Sequence, residues 1–222
     1  MAPAVDLLTR GVVLASNNRK KLSELQALFS PLFSPLSLTL VTQGSLGISE
    51  AEEPHGTFIE NALAKAQHAA LHSGFAAIAD DSGLCVDALG GAPGVISAHY
   101  ATVVLPDGER ELQRGAQDAA NNRLLLNRLT GIGDRRARFV STLVAVRSAV
   151  DPEPLVAVGR WQGEILDAAR GDAGFGYDPL MFIPTLSKSV AELDAETKNR
   201  LSHRALAAAQ MLALMREVWR FG

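Results

Sequence analysis

The chain has 222 residues, 47% of them hydrophobic, which is enough to fill a core and excludes disorder as its main state. Lys and Arg (21) against Asp and Glu (24) leave a formal net charge of −3 and a pI near 6.0, which argues against a duplex nucleic-acid binder with a basic face. A single cysteine, Cys85, excludes an internal disulfide and a cysteine-ligated structural zinc site, so a reducing, cytoplasmic setting is expected.

Met1 to Thr9 carries no basic residue ahead of an apolar run and does not read as a secretory signal. Ala205 to Leu214 is too short to span a bilayer and is interrupted by Gln210. No repeat and no linker rich in Pro, Gly or Ser divides the chain, so residues 1–222 read as a single domain.

In chain order, Gly11 to Ala15 reads as a strand, Ser16-Asn17-Asn18 as a polar turn, and Lys20 to Phe29 as an amphipathic helix. Leu38 to Val41 alternates as a second strand. Thr57 with Glu60 forms a capping-box pattern ahead of a helix whose apolar face is Phe58, Ala62, Ala66 and Ala69, ending near Gly74. Ala76 to Ala79 is a short buried strand leading into Asp80-Asp81-Ser82-Gly83, read as a turn, with Leu84 to Val86 a further short strand. Asn121 to Leu129 is helical, Arg138 to Val146 and Leu155 to Ile165 form an antiparallel hairpin, Met181 to Ile183 is a strand, and a long helix runs from about Asp194 to Arg220. The class is α/β with a mixed sheet.

Polar clusters sit at element boundaries, each with two readings. Ser16, Asn17, Asn18, Arg19, Lys20 and Lys21 lie where a strand meets a helix, so they form either an anion site or an ordinary N-cap followed by a solvated basic turn. The glycines of a P-loop are missing. Glu52-Glu53 and Asp80-Asp81 supply hard oxygen donors suited to Mg²⁺, or else are helix-start acids and turn residues. Asn61, Lys65, His68 and His72 share one helical stripe; a zinc pair made by the histidines is disfavoured because Ala69 stands where a zinc-protease glutamate would be. In Gly171 to Pro179 three glycines allow close backbone approach, and Phe175 and Tyr177 either stack on a base or tuck into the core. Lys198, Ser202, His203 and Arg204 open the last helix, where basic charge opposes the helix dipole; a ligand bearing an anion or carbonyl explains them, as does plain solvation.

Together these clusters resemble the inosine/xanthosine triphosphate pyrophosphatase family. The likeness runs through LASNNRKKLSEL (14–25), EEPHGTFIENALAKA (52–66), ADDSGLCVDALGGAPGVISAHYA (79–101), GFGYDPLMF (174–182) and AELDAETKNRLSHR (191–204). The resemblance implies Mg²⁺-dependent hydrolysis of deaminated purine nucleoside triphosphates (ITP, dITP, XTP) to monophosphate and pyrophosphate. It implies an elongated mixed sheet with two α/β lobes and a cleft, and a homodimer. By the same resemblance Ser16 to Lys21 hold the triphosphate, Glu52 and Asp81 ligate Mg²⁺, Asp81 is the general base, and Ser82 touches substrate. Lys65 is a candidate phosphate contact. Phe175, Gly176, Tyr177, Asp178, Lys198, His203 and Arg204 line the nucleoside end, with Phe175 stacking on the base and Arg204 or His203 addressing its 6-keto oxygen.

The family's Thr-Gly-Asn is Ser16-Asn17-Asn18 here, and Asn is the residue after Gly that best accepts positive φ; His99 replaces a common Arg. Three rival readings remain open to the residues: a pyrophosphatase for modified pyrimidine triphosphates, a non-catalytic nucleotide sensor, and an RNA-binding module, which the net charge and 5% aromatic content disfavour.

Overall fold

The computed structural model describes residues 11–16, 18–33, 39–103 and 110–220. Seven strands form one sheet in the order β2-β1-β3-β4-β5-β6-β7: β1 (Gly11–Ala15), β2 (Thr39–Thr42), β3 (Ala76–Val86), β4 (Arg136–Val146), β5 (Leu155–Ile165), β6 (Met181–Ile183) and β7 (Lys188–Ser189). Among the described residues five α-helices accompany them: α1 (Arg19–Phe33), α2 (Phe58–Ser73), α3 (Arg110–Arg128), α4 (Ala195–Leu201) and α5 (His203–Val218). β1 pairs in parallel with β2 and β3, whereas β6 pairs antiparallel with β5 and β7, so the sheet is mixed. Among the described residues no helix is long and apolar enough to cross a membrane.

The chain divides into two compact units. The first comprises Met1–Asp81, Ser141–Gly159 and Asn199–Gly222, the second Ser82–Val140 and Arg160–Lys198. The absence of a linker in the sequence has its counterpart here: β3, β4, β5 and α4 each contribute residues to both units, so no single connection separates them.

In the first unit, strand alternation sorts the core into two layers. Val12 and Leu14 of β1, Ile78 of β3 and Leu143 and Ala145 of β4 pack with Leu25 and Phe29 of α1 and Met211 of α5. The intervening residues Val13, Ala15, Ala77, Ala79, Val144 and Val146 pack instead with Ala62, Ala66 and Ala69 of α2. Small alanines on α2 let that helix lie close to the sheet. Gly159 serves the other face: a Cβ there would collide with the backbone of His203 and Ala207, so α5 passes directly over β5.

Three features differ from the sequence reading. Asp80-Asp81-Ser82-Gly83 is not a turn but the middle of the continuous β3, where each carboxylate finds a cation on its own face. Gly83 is a packing glycine, since Gly94 O and Ser97 Oγ occupy the space of a side chain. The long last helix is broken at Ser202, which has extended backbone (φ −67, ψ 161) and caps α5 by accepting from Ala205 N. The helix expected from Asn121 begins at Arg110. α2 starts as expected at Thr57, whose Oγ1 accepts from Glu60 N at 3.3 Å and donates to Glu60 Oε2 at 2.6 Å.

Candidate active site

The first unit concentrates charge on two sides of β3. Asp80 and Asp81 are 3% and 4% exposed. As neighbours in a strand they point to opposite faces, and each meets the helices that cover its face.

On the α1 and α5 side, Asp80 Oδ2 lies 3.3 Å from Lys21 Nζ and 3.7 Å from Arg204 Nε, and Ser141 Oγ donates to Oδ1 at 2.5 Å. Burial alone would raise the Asp80 pKa; Lys21, Arg204 and the Ser141 hydrogen bond outweigh it and hold the carboxyl well below the usual range. Burial pushes the Lys21 pKa down, against the pull of Asp80. Arg204 Nη1 also meets Glu24 Oε2 at 2.9 Å. The basic charge at the start of α5 is thus balanced by two carboxylates of the protein itself, and His203 beside it is buried.

On the α2 side, Asp81 Oδ1 accepts from Lys65 Nζ at 3.1 Å and Oδ2 from Asn61 Nδ2 at 3.3 Å. Lys65 Nζ also meets Glu53 Oε2 at 3.0 Å. Burial raises the Asp81 pKa to about 6, with Lys65 and Lys21 offsetting part of that rise and Glu53 and Asp80 adding to it. Burial would depress Lys65, but Asp81, Glu53 and Asp80 together lift it above its ordinary value.

Asn61 ties the preceding loop to this cluster, accepting from His55 N at 3.0 Å and donating to His55 O at 3.3 Å. Of the expected metal pair Glu52 and Asp81, Glu52 is exposed and its neighbour Glu53 is the one that shares Lys65 with Asp81. His68 Nε2 donates to Ser49 O at 3.0 Å, and among the described residues no group of three or more His, Cys, Asp or Glu is arranged to hold a metal ion.

The turn after β1 is an N-cap in form. Asn18 Oδ1 accepts from Lys20 N at 3.1 Å and Lys21 N at 3.2 Å, and Asn18 N donates to Ser16 Oγ at 3.3 Å. The cap consumes the Asn18 carbonyl, which could not bind an anion anyway, and leaves its amide and the Ser16 hydroxyl as donors. Asn17 and the Arg19 side chain lie outside the described residues; Lys20 is exposed.

In the second unit, Ser82 continues β3 half-buried. The loop Gly174 to Asp178 is built on left-handed glycines, Gly174 at φ 80 and Gly176 at φ 62. A side chain at Gly174 would run into the Asp178 carboxylate. Asp178 Oδ2 accepts from Phe175 N at 2.9 Å and from Lys198 Nζ at 2.9 Å, and the Lys198 ammonium sits 4.8 Å from the centroid of the Phe175 ring. Tyr177 is 5% exposed and its hydroxyl donates to Ser97 O at 2.9 Å, which leaves the half-buried Phe175 as the aromatic with ring surface to offer. Burial pushes the Tyr177 pKa above its ordinary value.

Sequence reasoning missed Glu24 and Ser141 as partners of the cluster; Glu53 was in view as half of the Glu52-Glu53 pair, but Glu52 was the one expected beside Asp81. For Asn61 the signal existed, since its i, i+4 spacing to Lys65 places both on one helical stripe. Nothing local marks Ser141, which reaches Asp80 across 61 residues.

A model of the Ham1 family matches residues 12–214. The chain is 74% identical over 208 residues to a dITP/XTP pyrophosphatase of Methylibium petroleiphilum, an alignment covering 94% of this chain and 98% of that protein. It is 68% identical over 211 residues to a dITP/XTP pyrophosphatase of Leptothrix cholodnii, with the same coverage of 94% and 98%. Among solved structures, a HAM1 protein of Coxiella burnetii is similar at a TM-score of 0.81 and 37% identity, over 95% of this chain and 100% of that one. A family model that spans nearly the whole chain, with relatives this similar over the same span, establishes that the chain belongs to the Ham1 family.

Proposed function

We propose that the chain is a Mg²⁺-dependent hydrolase that converts dITP, XTP and ITP to the nucleoside monophosphate and pyrophosphate. The observation that carries this reading is the buried Asp81 carboxylate, oriented by Lys65 and Asn61, in a chain 74% identical to a protein named dITP/XTP pyrophosphatase.

In this reading a water molecule attacks the α-phosphorus and gives its proton to Asp81, which Lys65 and Asn61 hold in place. The anhydride bond to the β-phosphate breaks and pyrophosphate departs with the bonding electron pair. Lys21, Lys65 and the donors of Ser16 to Lys20 spread the triphosphate charge, and such transfer needs positioning and electrostatics rather than a covalent nucleophile. Phe175 is the platform for the base, and Lys198 and Asp178 hold its loop.

Mg²⁺ is typically held by one or two carboxylates together with substrate phosphates and water, so the donor set of Asp81 with Glu52 or Glu53 fits it without a third protein ligand. When bound it would polarise the phosphates and offset charge on the leaving group.

The test is a panel of dITP, XTP, ITP, dATP and dGTP with Mg²⁺, scored for pyrophosphate against orthophosphate. Orthophosphate as the product removes the assigned bond, and equal rates across the panel remove the substrate class. Mg²⁺ titration of Glu52→Gln and Glu53→Gln assigns the second ligand: the variant whose metal requirement rises has lost it.

A further inference from the structure

The glycine loop is held by a pair of side chains that the sequence did not single out. Asp118 and Asn122 lie one helical turn apart on α3, and both reach Gly176. Asp118 Oδ2 accepts from Gly176 N at 2.9 Å, and Asn122 Nδ2 donates to Gly176 O at 3.0 Å. One residue in the left-handed region is thereby gripped at both its backbone N–H and its C=O. On the other side of the Phe175 Cα, the Phe175 N–H is held by Asp178 Oδ2 at 2.9 Å. The backbone on either side of the one half-exposed ring of the loop is clamped, by the loop's own Asp178 on one side and by Asp118 and Asn122 of α3 on the other.

Asn122 Oδ1 is buried and makes no hydrogen bond among the described residues. An unpaired buried acceptor costs stability, so a helix selected for stability alone would favour an apolar residue here. What the amide supplies in return is its donation to Gly176 O.

We propose that Asp118 and Asn122 are positioning residues for base selection: they fix the peptide that aims the Phe175 ring, and so set how sharply the enzyme separates deaminated purines from ordinary ones. This rests on the reading of Phe175 as the base platform. A loosened platform weakens binding of the correct base more than that of a base that already fits poorly, because only the correct base gains from a fixed geometry.

The experiment compares wild type with Asp118→Ala, Asp118→Asn and Asn122→Ala. It measures kcat and KM for dITP and dATP, the melting temperature, and hydrogen exchange at the Gly176 amide without nucleotide. Both alanine variants should lower the dITP-to-dATP ratio of kcat/KM by about tenfold, mainly through KM for dITP. Asp118→Asn should recover most of the ratio, because its amide oxygen still accepts from Gly176 N.

Gly176 exchange should accelerate in Asp118→Ala but not in Asp118→Asn. Asn122→Ala should keep or gain melting temperature while losing selectivity, a combination that a merely structural residue would not give. An unchanged ratio in both alanine variants beside a discriminating wild type overturns this proposal alone, as does a loss of melting temperature with no change in the ratio. A wild-type enzyme that treats dITP and dATP alike overturns the platform reading, and this proposal with it.

Discussion

The two faces of β3 carry the same functional group one residue apart and give it opposite character. Asp80 faces Lys21, Arg204 and Ser141 and is held well below the ordinary carboxylate range, whereas Asp81 faces Lys65 and Asn61, with Glu53 close by, and rises to about 6. Burial is nearly equal, so the difference comes from the company each keeps: two cations and a hydroxyl on one face, one cation shared with another carboxylate on the other. Asp80 is suited to holding cations in place. Asp81 is suited to exchanging a proton near neutrality.

The largest expected effect breaks the comparison on its chemical side. Asp81→Asn should lower kcat by about 10² or more, as for loss of a general base or metal ligand, while Asp80→Gln or Asp80→Asn acts first on the fold. Single-turnover rates with dITP check this, and wild-type turnover in Asp81→Asn would remove the residue from the mechanism.

The next effect is on stability. Asp80→Asn leaves Lys21 and Arg204 in a buried site without their shared charge, a loss of about 3 kcal/mol at neutral pH. Because the folded pKa of Asp80 is depressed, its contribution is present above the unfolded value and disappears as pH falls through the folded one. Thermal melts should therefore show the variant's deficit at pH 7 and its decline in strong acid.

Asp81 has the opposite sign. Its folded pKa of about 6 lies above the unfolded 3.8, so its stabilising share is full below pH 4 and is lost as pH rises through 6. Asp81→Asn should consequently be more stable than wild type at pH 8, by about 3 kcal/mol in metal-free buffer, and no more stable near pH 4. Removing the cation on this face, Lys65→Met, should push the Asp81 transition above pH 6, read as a shifted midpoint in the pH dependence of stability. The smallest effect is that of Ser141→Ala, which deletes one hydrogen bond to a buried charge and should cost about 1.5 kcal/mol. A melt of that variant measures it directly.

Some of this was legible in the residues alone. β5 and β6 fall where their apolar runs do, and α2 begins at its Thr57 cap, because alternation, helical spacing and capping are properties of neighbours in sequence. The chemistry-bearing clusters were also visible, as runs of Lys, Asn, Asp and Gly at element boundaries.

What only the tertiary structure decided is which of those groups face one another. Asp80 and Asp81 read as a turn because two adjacent acids rarely sit inside a strand; cations from α1, α2 and α5 reverse that preference. Glu53 rather than Glu52 reaches Lys65, Arg204 meets Glu24 across 180 residues, and Asp118 meets Gly176 across 58. Local pattern carries no information on such pairs. They are set by the packing of helices against the sheet and of loops against α3, which places side chains from distant parts of the chain within hydrogen-bond reach.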